Sequence, residues 1–213
     1  LINAINNFKK NGNLSKKELA KLGIHIERNI LNEMVGFQDQ IFAAYGGFNA
    51  VYFKGSDFYV RKIKIKQERL DKLNKSLALI YTGQKRKAVN IEKSKFNVLT
   101  DKKINNLNKI YEIAKEGLSI LDKNKNIDNI GELLNVTWKT KKNLSNVVSN
   151  PDIDNIYSSG LKFGAIGGKL LGAGGGGFIL FYVPEKKMNY FKGKMSRYHI
   201  IDVKLDSQGS SII

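Results

Sequence analysis

The chain has 213 residues and no cysteine, which excludes a disulfide framework and a thiolate metal site. That length suits one large domain or two small ones. No apolar run reaches the ~18 residues of a membrane span, and the opening LINAINNFKKNG lacks the charge order and cleavage site of a signal peptide. The expectation is a soluble cytoplasmic protein with no membrane partner. The formal net charge is +17. A basic surface of that size either attracts phosphates or reflects compositional drift. The lysines are spread along the chain, and Lys62, Lys64 and Lys66 alternate with Ile63 and Ile65 as on the solvent face of a strand. Drift plus a few functional cations is favoured, and no nucleic-acid partner is expected.

Leu1 to Phe8 reads as the end of a helix that begins upstream, so the chain is expected to be a piece of a longer protein. Ser15-x-x-Glu18 is a capping box, with Leu14 and Leu19 at the staple positions. It opens a helix through about Leu31, with Leu19, Leu22, Ile26 and Ile30 on one face. A second apolar helix follows Gly36 and stops at Gly46-Gly47. Ala50–Phe53 and Phe58–Ile65 read as a hairpin around Lys54-Gly55-Ser56-Asp57. Leu77–Tyr81 is a buried strand, and Gln84–Lys95 a strongly basic helix. Further helices start at Thr100, at Asp128 and at Asn150-Pro151, where Asn is the N-cap and Pro the first helical residue. A strand at Phe178–Val183, a helix at Glu185–Lys194 and a strand at His199–Lys204 close the chain. The pattern predicts an α+β fold with helices on one face of an antiparallel sheet.

The glycine-rich stretch Gly164–Val183, GAIGGKLLGAGGGGFILFYV, organises the second half. Gly172, Gly174 and Gly177 spell G-x-G-x-x-G, but these glycines open a strand where the dinucleotide motif opens a helix. Gly168-Lys169 is followed by Leu170, which excludes the phosphate loop ending in Lys-Ser or Lys-Thr. What remains is a tight loop, either packed at a domain seam or shaping a ligand site.

Two carboxylates stand out. Asp39 lies in the first turn of a helix, where the dipole favours a negative charge by ~0.3–1 kcal/mol. It is either a plain helix-start residue or a catalytic one. Glu27, on the preceding helix, is either a surface residue or one member of a pair that divides the work of holding a metal and a substrate hydroxyl. His25 and His199 are too scattered for a histidine site.

Lys169-Leu170-Leu171-Gly172-Ala173-Gly174-Gly175-Gly176-Gly177-Phe178 resembles the third motif of the GHMP small-molecule kinases, which include galactokinase and the homoserine, mevalonate and phosphomevalonate kinases. Val35-Gly36-Phe37-Gln38-Asp39-Gln40 is similar to the segment carrying that family's catalytic Asp. Several pieces resemble the D-glycero-D-manno-heptose 7-phosphate kinase branch. They are Gln38-Asp39-Gln40, Ala44-Tyr45-Gly46-Gly47-Phe48-Asn49, Tyr81-Thr82-Gly83-Gln84-Lys85-Arg86-Lys87-Ala88, Trp138–Leu144 and Ser149–Asp154.

The resemblance implies an ATP-dependent kinase acting on the 1-hydroxyl of a phosphorylated heptose, with ATP and Mg²⁺ as cofactors, in nucleotide-activated heptose biosynthesis. It implies the end of an N-terminal domain over 1–68 and a ferredoxin-like C-terminal domain, an antiparallel sheet with helices on one face, over 69–213. Asp39 would be catalytic and Glu27 would hold magnesium. Tyr45, Gly46 and Gly47 would line the sugar pocket, and Gly172, Gly174, Gly175, Gly176 and Gly177 would shape the nucleotide side. Arg86, with Lys85 second, is assigned to the substrate phosphate because guanidinium grips phosphate with two bonds. The family's first two motifs do not occur in this sequence, so the chain alone is expected to bind ATP poorly. The partners expected are the sugar substrate and either the missing N-terminal segment or a second copy. The alternatives are another kinase of the family and a non-catalytic basic fragment.

Overall fold

A computed structural model describes residues 1–9, 12–33, 35–84, 100–144, 148–172, 174–205 and 207–211. They divide into two compact units, Leu1–Lys64 with Leu205–Ile213, and Ile65–Lys204. The division predicted from the resemblance lies four residues later and leaves the closing segment in the second unit; the structure returns that segment to the first.

The first unit begins with α1 (Ile2–Phe8) and α2 (Lys16–His25). The capping box at α2 is complete: the Ser15 side chain accepts from Glu18 N, and Glu18 Oε2 accepts from Ser15 N at 2.8 Å. Ile26–Ile30 continues α2 as a π turn, and Leu31 N donates to Ile26 O at 2.9 Å. The regular helix expected through Leu31 therefore ends six residues early. An extra residue in a turn rotates the downstream side chains by about 100° around the helix axis. Ile30 is accordingly exposed, against the face drawn from a 3.6-residue period; Leu22, upstream of the turn, is also exposed, while Leu19 stays buried. Next come α3 (Gln38–Tyr45) and the hairpin β1 (Asn49–Lys54) and β2 (Asp57–Lys62), joined by Gly55-Ser56. Leu19, Ala20, Ile41, Ala44 and Phe58 form the core, with Val51 and Val60 of the hairpin against it. β2 stops at Lys62, short of the expected Ile65, although Ile63 is buried.

The second unit contains α4 (Gln67–Ser76), β3 (Leu77–Tyr81), α5 (Asp101–Asp122), α6 (Asn129–Lys142), α7 (Pro151–Lys162), β4 (Gly167–Leu170), β5 (Phe178–Tyr182), α8 (Glu185–Lys194) and β6 (Ile200–Asp202). Thr100 and Asn150 cap α5 and α7 as expected, accepting from Lys103 N and Ile153 N. The sheet order is β4-β5-β3-β6, antiparallel throughout. β3 and β4 run the same way with β5 between them, the split strand–helix–strand arrangement of ferredoxin-like folds. Cross-strand partners Ala78 and Phe181, and Ile80 and Ile179, project from one face into a core with Trp138, Ile153, Tyr157 and Phe191. α7 and α8 thus cover the predicted face.

β4 was not predicted, because its Gly-Gly-Lys-Leu sequence reads as loop. It is an edge strand that α6 approaches so closely that a Cβ on Gly167 would stand 2.1 Å from Gly131 O. The glycines are there for that approach, and the loop proper runs only from Leu171 to Gly177. The helix expected over Gln84–Lys95 falls almost wholly outside the described residues.

Candidate active site

Two groups of predicted residues are resolved, one in each unit. In the first unit, the π turn presents Glu27, and α3 presents Asp39 in its first turn. Asp39 is exposed, and among the described residues its carboxylate has no hydrogen bond or ion pair. Glu27 is half-buried and accepts a hydrogen bond from Gln40 Nε2. The residue after Asp39 therefore anchors Glu27, which brings the two carboxylates onto neighbouring, bonded elements. Gln40 stands in the motif around Asp39, where nothing in the sequence assigns it a role.

At the other end of α3 the chain turns through Tyr45, Gly46 and Gly47. The Tyr45 ring meets Phe58 edge-on, with centroids 6.4 Å apart. Gly46 has φ +60°, and a Cβ there would lie 2.0 Å from Gly209 N. Lys16 Nζ donates to Tyr45 O and to Gln208 O, each at 2.9 Å. Asn49 Nδ2 donates to Gly46 O at 2.7 Å. The segment 207–211 thus crosses the corner predicted to line the sugar pocket, which no sequence signal indicated. A separate cavity of about 220 Å³ in this unit is lined by Lys21, His25, Asn29 and Phe37 among others, and by none of the predicted site residues.

In the second unit the glycine tract is braced from two sides. Gly177 N donates to Gln84 O at 3.2 Å, and Gly177 O accepts from Thr82 N and Thr82 Oγ1 at 2.9 and 3.0 Å. Gly175 N donates to Val148 O at 3.1 Å, and Lys141 Nζ donates to Gly172 O. Gln84 Nε2 donates to Asp152 Oδ2 at 2.8 Å, and Asn150 Nδ2 donates to Gln84 Oε1 at 2.7 Å. Gln84 therefore ties the tract to the start of α7. Two of the tract's N–H groups are spent inside the protein, which suits a buttress better than a cradle of donors for phosphate. Ahead of the tract, burial pushes the half-buried Lys169 ammonium below the usual lysine range. Gln84 and Lys169 lie in quoted motifs without an assigned role, and Asn150 is assigned there only as a helix cap.

Lys85 and Arg86, predicted for the substrate phosphate, lie outside the described residues. Among the described residues, no cluster of three or more His, Cys, Asp or Glu could hold a metal, and no helix is long and apolar enough to cross a membrane.

The second unit is a split-strand ferredoxin-like sheet with a glycine loop before its central strand, and in the first unit Glu27 and Asp39 lie on elements joined by the Gln40 bond. Residues 1–47 match the family described as GHMP kinases N terminal domain, and residues 109–197 match GHMP kinases C terminal. The chain belongs to the GHMP kinase family. It is 32% identical over 201 residues to the D-glycero-alpha-D-manno-heptose 7-phosphate kinase of Campylobacter jejuni, covering 92% of this chain and 59% of that protein. It is 29% identical over 181 residues to the mevalonate kinase of Pyrococcus abyssi, covering 82% of this chain and 50% of that protein. A crystal structure of mevalonate kinase superposes with a TM-score of 0.74 at 28% identity, covering 97% of this chain and 62% of the other. The chain thus spans between half and two thirds of the length of these relatives.

Proposed function

We propose that the protein carrying this chain transfers the γ-phosphoryl group of ATP to the 1-hydroxyl of D-glycero-D-manno-heptose 7-phosphate. The observation that carries this reading is the exposed Asp39 carboxylate at the start of α3, next in sequence to the Gln40 that anchors Glu27. Phosphoryl transfer asks the protein mostly for positioning and charge neutralisation. Asp39 orients the 1-hydroxyl and takes its proton as the oxygen bonds the γ-phosphorus and ADP leaves. Magnesium ordinarily takes one or two carboxylates, with phosphate oxygens and waters completing its shell. Glu27 fits as that single carboxylate. Bound there, the ion neutralises charge on the phosphates.

The corner Tyr45–Gly47 holds the sugar, and Gly172–Gly177 buttress the nucleotide side. Arg86, or Lys85 next to it, meets the 7-phosphate. In the whole enzyme, Asp39→Ala is expected to lower turnover by roughly 10²–10⁴; unchanged turnover removes Asp39 from the mechanism. A mevalonate-type acceptor is the second reading, favoured by the likeness to mevalonate kinases. Comparing kcat/KM for the two acceptors separates them.

A further inference from the structure

The segment Ser207–Ser211 reads Ser-Gln-Gly-Ser-Ser and carries no apolar side chain, yet it is fixed closely against the end of α3. Its backbone meets Gly46 so tightly that a Cβ on Gly209 would lie 2.5 Å from Gly46 N. Lys16 pins Gln208 O and Tyr45 O together at 2.9 Å each. Asn3 Nδ2 donates to Ser210 Oγ at 3.1 Å. A segment held for stability normally contributes apolar area to the core, and this one contributes none. Its backbone is anchored while the side chains of Ser207 and Gln208 are exposed. Among the described residues neither of those side chains forms a hydrogen bond. An anchored backbone presenting idle hydroxyl and amide groups is how a site for a polyhydroxylated ligand is preorganised.

We propose that Ser207 and Gln208 are acceptor-binding residues, held by the Lys16 brace and the Gly46–Gly209 contact, and that they recognise sugar hydroxyls between the reacting oxygen and the 7-phosphate. Gly46 lies seven residues beyond Asp39, about 10 Å along a helix, so a seven-carbon sugar with its 1-oxygen at Asp39 has the length to bring its intermediate hydroxyls toward the segment. The inference rests on the kinase reading and on the corner Tyr45–Gly47 lining the acceptor site.

The test uses the whole enzyme with D-glycero-D-manno-heptose 7-phosphate. Gln208→Ala and Ser207→Ala each remove one neutral hydrogen bond, so KM for the sugar should rise about 3–10-fold. KM for ATP and thermal stability should not change. Lys16→Met should raise the sugar KM as well, and Lys16→Arg should restore it. Hydrogen exchange gives a readout free of turnover: the sugar should slow exchange at Gly46–Gly47 and at 207–211 together. Protection of the corner without the segment, or sugar KM unchanged in both alanine variants, overturns the proposal and leaves the kinase reading intact. A wild-type enzyme that neither binds nor phosphorylates the sugar overturns the reading itself, and the proposal with it.

Discussion

Gln40 donates its amide Nε2 to Glu27 Oε2, while its own carbonyl oxygen Oε1 is buried without a partner among the described residues. A buried carbonyl left unpaired is costly, so the arrangement serves the Glu27 carboxylate better than it serves stability. Outer partners of metal ligands typically contribute 10–100-fold to metal affinity. If Glu27 holds magnesium as in the proposed function, Gln40→Leu is expected to raise the Mg²⁺ concentration for half-maximal activity by about tenfold or more. Thermal stability should hold or improve. Metal titration and a thermal melt of the same variant check both halves. An unchanged Mg²⁺ requirement would separate Gln40 from the metal.

Gly174 leaves room for nothing larger. A Cβ there would stand 3.0 Å from both Val148 Cα and Val148 O, so backbone has to move. Gly174→Ala is expected to cost about 1–3 kcal/mol. Under the proposed function it should also raise KM for ATP more than KM for the sugar. A melt and a two-substrate kinetic series measure this, and wild-type values in both would show that the tract tolerates a side chain.

The Tyr182 hydroxyl donates to Asp128 Oδ1 at 2.6 Å, and Lys72 Nζ meets the same carboxylate at 3.0 Å. Burial alone would push Asp128 up, but the bonds from Tyr182 and Lys72 outweigh it and hold the carboxyl below its usual range. The stability gained is complete above the unfolded carboxylate value of ~3.9 and is lost as pH falls through the lower folded value. Tyr182→Phe should cost about 1.5–3 kcal/mol at pH 7, the usual worth of a hydrogen bond to a charged group. The deficit should shrink at pH 3 and below, as the carboxyl takes up its proton. Denaturant unfolding at the two pH values tests this; a deficit independent of pH would contradict it.

Much of the fold was legible because local signals agreed with tertiary packing. Ser15-x-x-Glu18, Thr100 and Asn150-Pro151 cap the helices they were expected to cap. Phe178–Tyr182 is the buried strand that its apolar run indicates. The failures have specific causes. Period counting cannot see the π turn at Ile26–Ile30, because helix propensity is unchanged by one extra residue per turn. β4 was hidden because Gly167 and Gly168 are chosen for closeness to α6 and Phe181, and glycine carries no strand propensity. Carboxylates in motif positions drew attention to Asp39 and Glu27. Gln40, Gln84 and Lys16 act through bonds to residues 13, 68 and 192 positions away, and such pairings leave no local pattern.

Under the proposed function, a phosphorylated heptose receives a phosphoryl group at its 1-hydroxyl with Asp39 as base. The most direct measurement is ³¹P NMR of the whole enzyme incubated with MgATP and D-glycero-D-manno-heptose 7-phosphate, run beside its Asp39→Ala variant. The wild type should give a new phosphate-ester signal coupled to the anomeric proton, with ADP formed in equal amount, and the variant nearly none of either. No anomeric ester from the wild type, or the same rate from the variant, would contradict it.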